Sequence, residues 1–200
     1  MTTETPDSSD EWARLVAVSS LADVVARDVN DFSPVPGKES PEWLAKLGLP
    51  AGWLLARLDG ESVQPARIAV CNLPRDSGGG VGCETISVCA FTGVPPLDAV
   101  RDNADCALRD LHAHGINTRD LPLPVPGSIA LRSSGYFDTG GLQVWAQQST
   151  YLAGRESARG LLILHSLFIE ARCLTKLRGD IVDLSDAVYH AFLTTLSEHR

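Results

Sequence analysis

Two stretches, SIALRSSGYF and LQVWAQQSTYLA, alternate apolar and polar residues and are separated only by Asp138-Thr139-Gly140-Gly141. Period-two alternation sends successive side chains to opposite faces of a strand, and a short connection of that composition turns the chain straight back on itself. The segment is therefore a long antiparallel hairpin. Whatever else the chain forms must pack on the sheet that this hairpin starts.

Further strands follow from the same period. GWLLARL from Gly52 and ARIAVCNL, with Ile68 and Val70 on one side and Ala69, Cys71 and Leu73 on the other, predict two strands. CETISVCAF predicts a third, after the loop Asp76–Gly82. LLILHSLFI is apolar on both sides and reads as a central strand, with the segment through Cys173 to Leu177 either extending it or folding back after Glu170. Helical spacing marks the rest. Ser20 with Asp23 forms a capping box for a short helix to about Arg27, and Ser40-Pro41 introduce a single turn around Trp43 to Leu47. Pro95-Pro96 open a helix over 97–114 with Leu97, Val100, Ala104, Ala107, Leu108 and Leu111 in one stripe, ended by Gly115. After the proline-interrupted LPLPVPG linker and the later strands, Ser185 caps a helix over 185–197 whose Val188, Ala191, Phe192 and Leu196 face inward. The expected fold is α+β: an antiparallel sheet of about six strands packed against two main helices, 97–114 and 185–197. Residues 1–10 form an acidic tail expected to stay disordered, and 11–200 a single domain whose order starts near Trp12.

Charge and cysteine usage narrow the function classes. Seventeen basic against twenty-five acidic residues leave −8, which repels a polyanion, so no nucleic acid is expected as a partner. Glu4, Asp7, Asp10 and Glu11 stand where a secretory signal needs basic residues, and no apolar run of about 18 residues exists, so no membrane span is expected. Cys71, Cys83, Cys89, Cys106 and Cys173 are an odd, scattered set and read as free thiols. A cytoplasmic protein is the expectation.

No residue pattern stands out as catalytic. The glycines at 78–82 precede a strand and are followed by no Lys-Ser or Lys-Thr, so the helix dipole that holds a phosphate is missing. His112 and His114 are two apart, which points them to different sides of a helix, and with Cys106 and Asp110 they make a weak metal set; no metal and no cofactor are assigned. His165 lies in an apolar strand and reads as a hydrogen-bonded core residue. No thiol has a histidine nearby in sequence, and Ser133-Ser134-Gly135 lacks the preceding glycine of a nucleophile elbow. On the hairpin, Gln143, Trp145, Gln147, Ser149 and Tyr151 share one side, opposite Leu142, Val144, Ala146 and Leu152. That first set reads as a semi-polar sheet surface, and Trp145, Gln143, Gln147, Tyr151 and Tyr136 are the candidate binding residues.

SLADVV near the start, PAGW at 50–53, TGVPPLDAV leading into the long helix and SGYFDTGGLQVWAQQSTYLAG as the hairpin together resemble the actinobacterial LpqN-like proteins, whose fold is PsbP-like (Mog-type). The likeness runs in order from roughly residue 19 to 197. It implies a helix-covered antiparallel sheet and a non-enzymatic role in binding a partner or an envelope-related lipid, with no catalytic residue to carry over. Many relatives are lipoproteins with a signal and a lipid-attachment cysteine, whereas the first cysteine here is Cys71, so a cytosolic relative with a changed partner is expected.

The sequence thus predicts a non-enzymatic cytosolic binding module for a protein partner or a small amphiphile, acting through the sheet surface or the loop at 76–82. Two other readings stand beside it: an enzyme working through Cys106, His112 or His165, and an acidic adaptor for a basic partner.

Overall fold

A computed structural model describes residues 20–36, 39–56, 65–72, 80–155 and 158–198. The acidic stretch 1–10, Trp12 and the glycine-rich positions 76–79 lie outside the described residues. The elements are α1 (Leu21–Ala26), β1 (Asn30–Pro34), α2 (Glu42–Lys46), β2 (Trp53–Leu55), β3 (Arg67–Cys71), β4 (Gly82–Thr92), α3 (Leu97–Asp102), α4 (Cys106–Asp110), β5 (His114–Asp120), β6 (Ser128–Thr139), β7 (Leu142–Arg155), β8 (Ala158–Glu170) and α5 (Arg178–Glu198). The predicted hairpin is β6–β7, with Thr139 opposite Leu142 and Ser128 opposite Ala153. The Ser20–Asp23 capping box forms as read.

The sheet has eight strands among the described residues, seven in the order β2-β3-β4-β8-β7-β6-β5 and β1 off that path on β4, and every pairing is antiparallel. β3 pairs with β4 over Gly82–Ile86, and β1 pairs with the later part of β4, Cys89–Thr92. β8 lies between β4 and β7, as its two apolar sides require. The two strands beyond the expected six, β1 and β5, carry no alternation to read. β5 is an edge strand with only Ile116 partly buried, and β1 contains Pro34 and is mostly exposed.

The helix expected over 97–114 is two short helices. Asn103 breaks it: its side-chain Nδ2 donates to Ala99 O at 2.9 Å, an alternative partner for the backbone that Asn and Asp offer and most residues do not. Ser133 Oγ donates to Ala104 O at 2.9 Å, which fastens the break to β6. The stop is at His112, not Gly115. His112 takes φ +54° and Ala113 N donates to Leu108 O at 2.9 Å, a left-handed cap that leaves His114 to begin β5. The C-terminal helix also differs. It starts at Arg178, so Ser185 lies within it, because Leu177, Ile181 and Leu184 extend the stripe of Val188, Phe192 and Leu196 backwards. After Glu170 the strand ends in a 3₁₀ turn, Ala171–Cys173, that leads into this helix.

Both sheet faces are packed, on different areas. α5 and α2 cover one face, where Ile86, Val88, Ala90, Ala130, Tyr151 and Ile163 meet Leu44, Val188, Phe192 and Leu196. Toward the start of α5 the same face holds Trp53, Cys71, Leu167 and Ile169 against Leu177, Ile181 and Leu184. α1, α3 and α4 cover part of the other face, over Cys89, Phe91, Ile129, Leu131, Leu152 and Leu162. Each of these large apolar side chains contributes about 1.5–3 kcal/mol by leaving water. None of the described helices is long and apolar enough to cross a membrane.

Candidate functional site

The C-terminal half of α5 runs toward the end of the sheet where β6 starts and β7 and β8 meet, and it does not close completely against that end. Leu161 of β8, Ala153 of β7, Ala90 of β4 and Ser128 of β6 form a floor, with Ala191, Phe192, Thr195 and Leu196 of α5 on one side. Val35 and Trp43 form a second wall, and Val125-Pro126-Gly127 a third. The cleft encloses about 840 Å³. Among the described residues, its only charged lining residues, Glu39, Glu42, Lys46 and Arg159, are all exposed. They pair as Lys46 Nζ–Glu42 Oε2 at 2.9 Å and, more loosely, Arg159–Glu39 at 3.8 Å.

Local sequence explains each wall. In Leu121-Pro-Leu-Pro-Val-Pro126 the Leu and Val side chains are half-buried against the α5 core and the three prolines face out, so the segment is a strap with one apolar edge. Leu121 N donates to Ala130 O at 2.8 Å, Ser128 Oγ donates to Val125 O at 2.6 Å, and Tyr189 Oη of α5 donates to Pro122 O. α2 is held from below by Arg67. Its guanidinium donates to Leu44 O (3.4 Å), Leu47 O (2.9 Å) and Gly48 O (3.1 Å), and its Nε to Glu84 Oε2 (3.1 Å). Five residues are too few to hold a helix by their own backbone bonds, so this clamp sets the position of Trp43.

Arg67 belongs to a polar belt beneath α5. Glu84 lies between Arg67 and His165, whose Nε2 is 3.2 Å from Glu84 Oε1, and both residues are buried. Toward β6, Arg132 Nε donates to Ser149 Oγ at 3.2 Å, and Gln147 Nε2 donates to Ser185 Oγ at 2.7 Å. The belt separates the two apolar clusters under α5 and fixes where Ser185 sits along the sheet.

The candidates from the hairpin are therefore not on one open surface. Gln147, Ser149 and Tyr151 are buried under α5, with Tyr151 packed on Phe192 at 5.4 Å between ring centroids. Burial pushes the Tyr151 hydroxyl pKa up, against a smaller opposing pull from Arg132. Trp145 is half-buried beside the start of α5, Gln143 is exposed near the turn, and Tyr136 stacks on His114 at 5.9 Å. Alternation tells which residues share a side, not which side a distant helix covers.

The three residues of the enzyme reading are scattered. His165 is enclosed beneath α5, Cys106 is buried under the opposite face, and His112 is exposed at the end of α4. None lines the cleft. Burial raises the Cys106 thiol pKa, as it does those of Cys83 and Cys89, the last to about 11. Ser133 spends its hydroxyl on Ala104 O and on Thr118 Oγ at 2.8 Å. Among the described residues no three His, Cys, Asp or Glu side chains gather as a metal site. What the arrangement offers is an apolar trough with charge at its lip, which suits holding a molecule.

The sequence marks Phe192 and Leu196 only as inward-facing helix residues, and none of the cleft residues Trp43, Val125, Leu161, Phe192 and Leu196 as a binding candidate. One signal was there: the strict Leu/Val–Pro alternation over 121–126 marks a strap with an inward edge, not a neutral linker.

No family profile matches the chain, and no curated protein does. Among solved structures it resembles LpqN of Mycobacterium tuberculosis, described as involved in cell envelope biogenesis, with a TM-score of 0.59 over 85% of this chain and 96% of that one. The two are 16% identical, so the likeness is one of fold: this chain has an LpqN-like fold.

Proposed function

We propose that this protein is a non-enzymatic binding module and that its cleft holds an elongated amphiphile, apolar body between the Leu161 floor and the α5 side and polar end at the charged lip. The observation that carries the reading is the cleft itself: about 840 Å³, apolar inside and, among the described residues, charged only at the rim. That size falls within the range of about 300–1,000 Å³ in which small-molecule pockets lie. The fold is consistent with membership of the LpqN-like family, and an envelope role such as that described for LpqN would bring a protein into contact with amphiphiles. The working place we assign is the cytoplasm, supported by five cysteines joined by no disulfide, as thiols are in a reducing compartment.

Titration with a dansyl-labelled undecanoic acid tests the reading. Binding should raise and blue-shift the dansyl emission, and Ala191→Trp, which places an indole in the cleft, should weaken it at least about tenfold, a loss of about 1.4 kcal/mol. Equal binding by parent and variant, with circular dichroism unchanged, rules the cleft out.

A further inference from the structure

β5 and β6 set Arg119 directly opposite Arg132. Opposed side chains stand on the same side of a sheet. Here it is the α5 side, because Arg132 Nε donates to Ser149 Oγ at 3.2 Å and its Nη2 to Ser185 O at 3.5 Å. Arg132 is half-buried, and Arg119, on the edge strand, is exposed, so the polar belt beneath α5 reaches water at these two guanidiniums.

Like charges placed opposite each other weaken the pairing of their strands, yet nothing bonded to these two cancels the charge. The bonds of Arg132 go to neutral oxygens, and among the described residues neither arginine stands in an ion pair. Asp120, next to Arg119 in sequence, points to the other side and lies 3.5 Å from Arg101. Asn117 and Ser134, the next opposed residues on the α5 side, are uncharged. Asp186 of α5 acts on the same Tyr151 hydroxyl as Arg132 but pairs with neither arginine, so it offsets their charge only through space.

We propose that Arg119 and Arg132 form a binding site for the phosphoryl group of a small, soluble phosphate monoester. Opposed Cα atoms in an antiparallel pair are about 4.5–5.5 Å apart, so both guanidiniums reach a single group. A phosphate monoester brings three acceptor oxygens and a charge of about −1.5 to −2 to one point, where a carboxylate brings two oxygens and one charge. The planar fork of each guanidinium takes such oxygens two at a time. The net −8 of the chain opposes docking on an anionic membrane, with its many charges, far more than the approach of one small anion. Neither arginine lines the cleft, so this site stands or falls independently of the amphiphile reading.

Phenyl phosphate titrated into isotope-labelled protein at a constant ionic strength of about 0.15 M tests the proposal by NMR. The guanidinium Nε–Hε signals of Arg119 and Arg132 should shift along one saturating curve, with a dissociation constant of about 1 mM. Phenyl sulfate, with the same ring and a single charge, should bind at least about fivefold more weakly, and so should phenyl phosphate to Arg119→Gln. Asp186→Asn should tighten binding, and Arg109→Gln, on α4 across the sheet, should leave it unchanged. Vesicles of equimolar phosphatidylcholine and phosphatidate should leave the protein in the supernatant. Signals unmoved at about 20 mM phenyl phosphate overturn the proposal, as does equal binding by a folded Arg119→Gln chain or by phenyl sulfate. Sedimentation with the vesicles that Arg119→Gln abolishes overturns the soluble ligand.

Discussion

Replacing Arg67 by Met keeps an unbranched stem in the core and deletes the guanidinium that reaches Glu84 Oε2 at 3.1 Å and the carbonyls of Leu44, Leu47 and Gly48 at 3.4, 2.9 and 3.1 Å. Two costs follow. Glu84 is left as a buried carboxylate with only His165 close by, and removing one member of a buried pair costs about 3–5 kcal/mol. The Leu47 and Gly48 carbonyls are only partly buried, so water replaces much of what they lose. A domain of ordinary stability holds about 5–15 kcal/mol, so this single change removes about a fifth or more of it. With a urea slope of about 2 kcal/mol/M, the midpoint should fall by roughly 1.5–2.5 M. The companion change Glu84→Leu, made alone and together with Arg67→Met, completes a cycle. The double variant should regain more than half of the loss, because no charge is then left stranded in the core. Urea unfolding followed by circular dichroism reads all four proteins. A loss below about 1 kcal/mol for Arg67→Met, or a double variant as unstable as the two single losses summed, refutes the reasoning. The double variant should still bind the dansyl probe more weakly than the parent, since α2 and Trp43 have lost their clamp.

Other outcomes follow from the same structure. Phe192→Ala, fully buried between Tyr151 and the cleft floor, should cost about 3–5 kcal/mol in thermal or urea unfolding, and a cost under about 1 kcal/mol would mean that α5 is not packed there. His112→Gly should stabilise by several tenths of a kcal/mol to about 1, since φ +54° is a conformation that glycine adopts freely; destabilisation would contradict the left-handed cap. Cys89, with its thiol pKa raised to about 11 by burial, holds its proton at neutral pH. It should resist iodoacetamide at pH 8 in the folded protein, and labelling should accelerate only as pH climbs toward that value or the chain unfolds. Rapid alkylation of native Cys89 at pH 8, located by peptide mass, would count against its burial.

Sequence reading succeeded where one local period governs a residue's fate. The β6–β7 hairpin, β8 as a central strand and the Ser20–Asp23 cap all formed as read. It failed where a competing local partner or a distant element decides. Asn103 and His112 cut an apolar stripe that is otherwise continuous, through a side-chain hydrogen bond and a left-handed cap that helical spacing does not register. β5 escaped notice because an exposed edge strand has no buried side to alternate. The cleft depends on the strap, α2 and α5 converging from separate parts of the chain. Of its walls, only the Leu/Val–Pro alternation and the helical run through Phe192 had any trace in sequence. The polar belt was equally hidden: Arg67, Glu84 and His165 come together only through the β3–β4–β8 register.

Methyl-resolved NMR with dodecanoate added stepwise tests the cleft most directly. The methyls of Val35, Val125, Leu161 and Leu196 should shift together along one saturating curve, while those of Ile68 and Val70 on the far face stay in place. Saturating dodecanoate that leaves the first group unmoved, or that moves Ile68 and Val70 instead, contradicts the account.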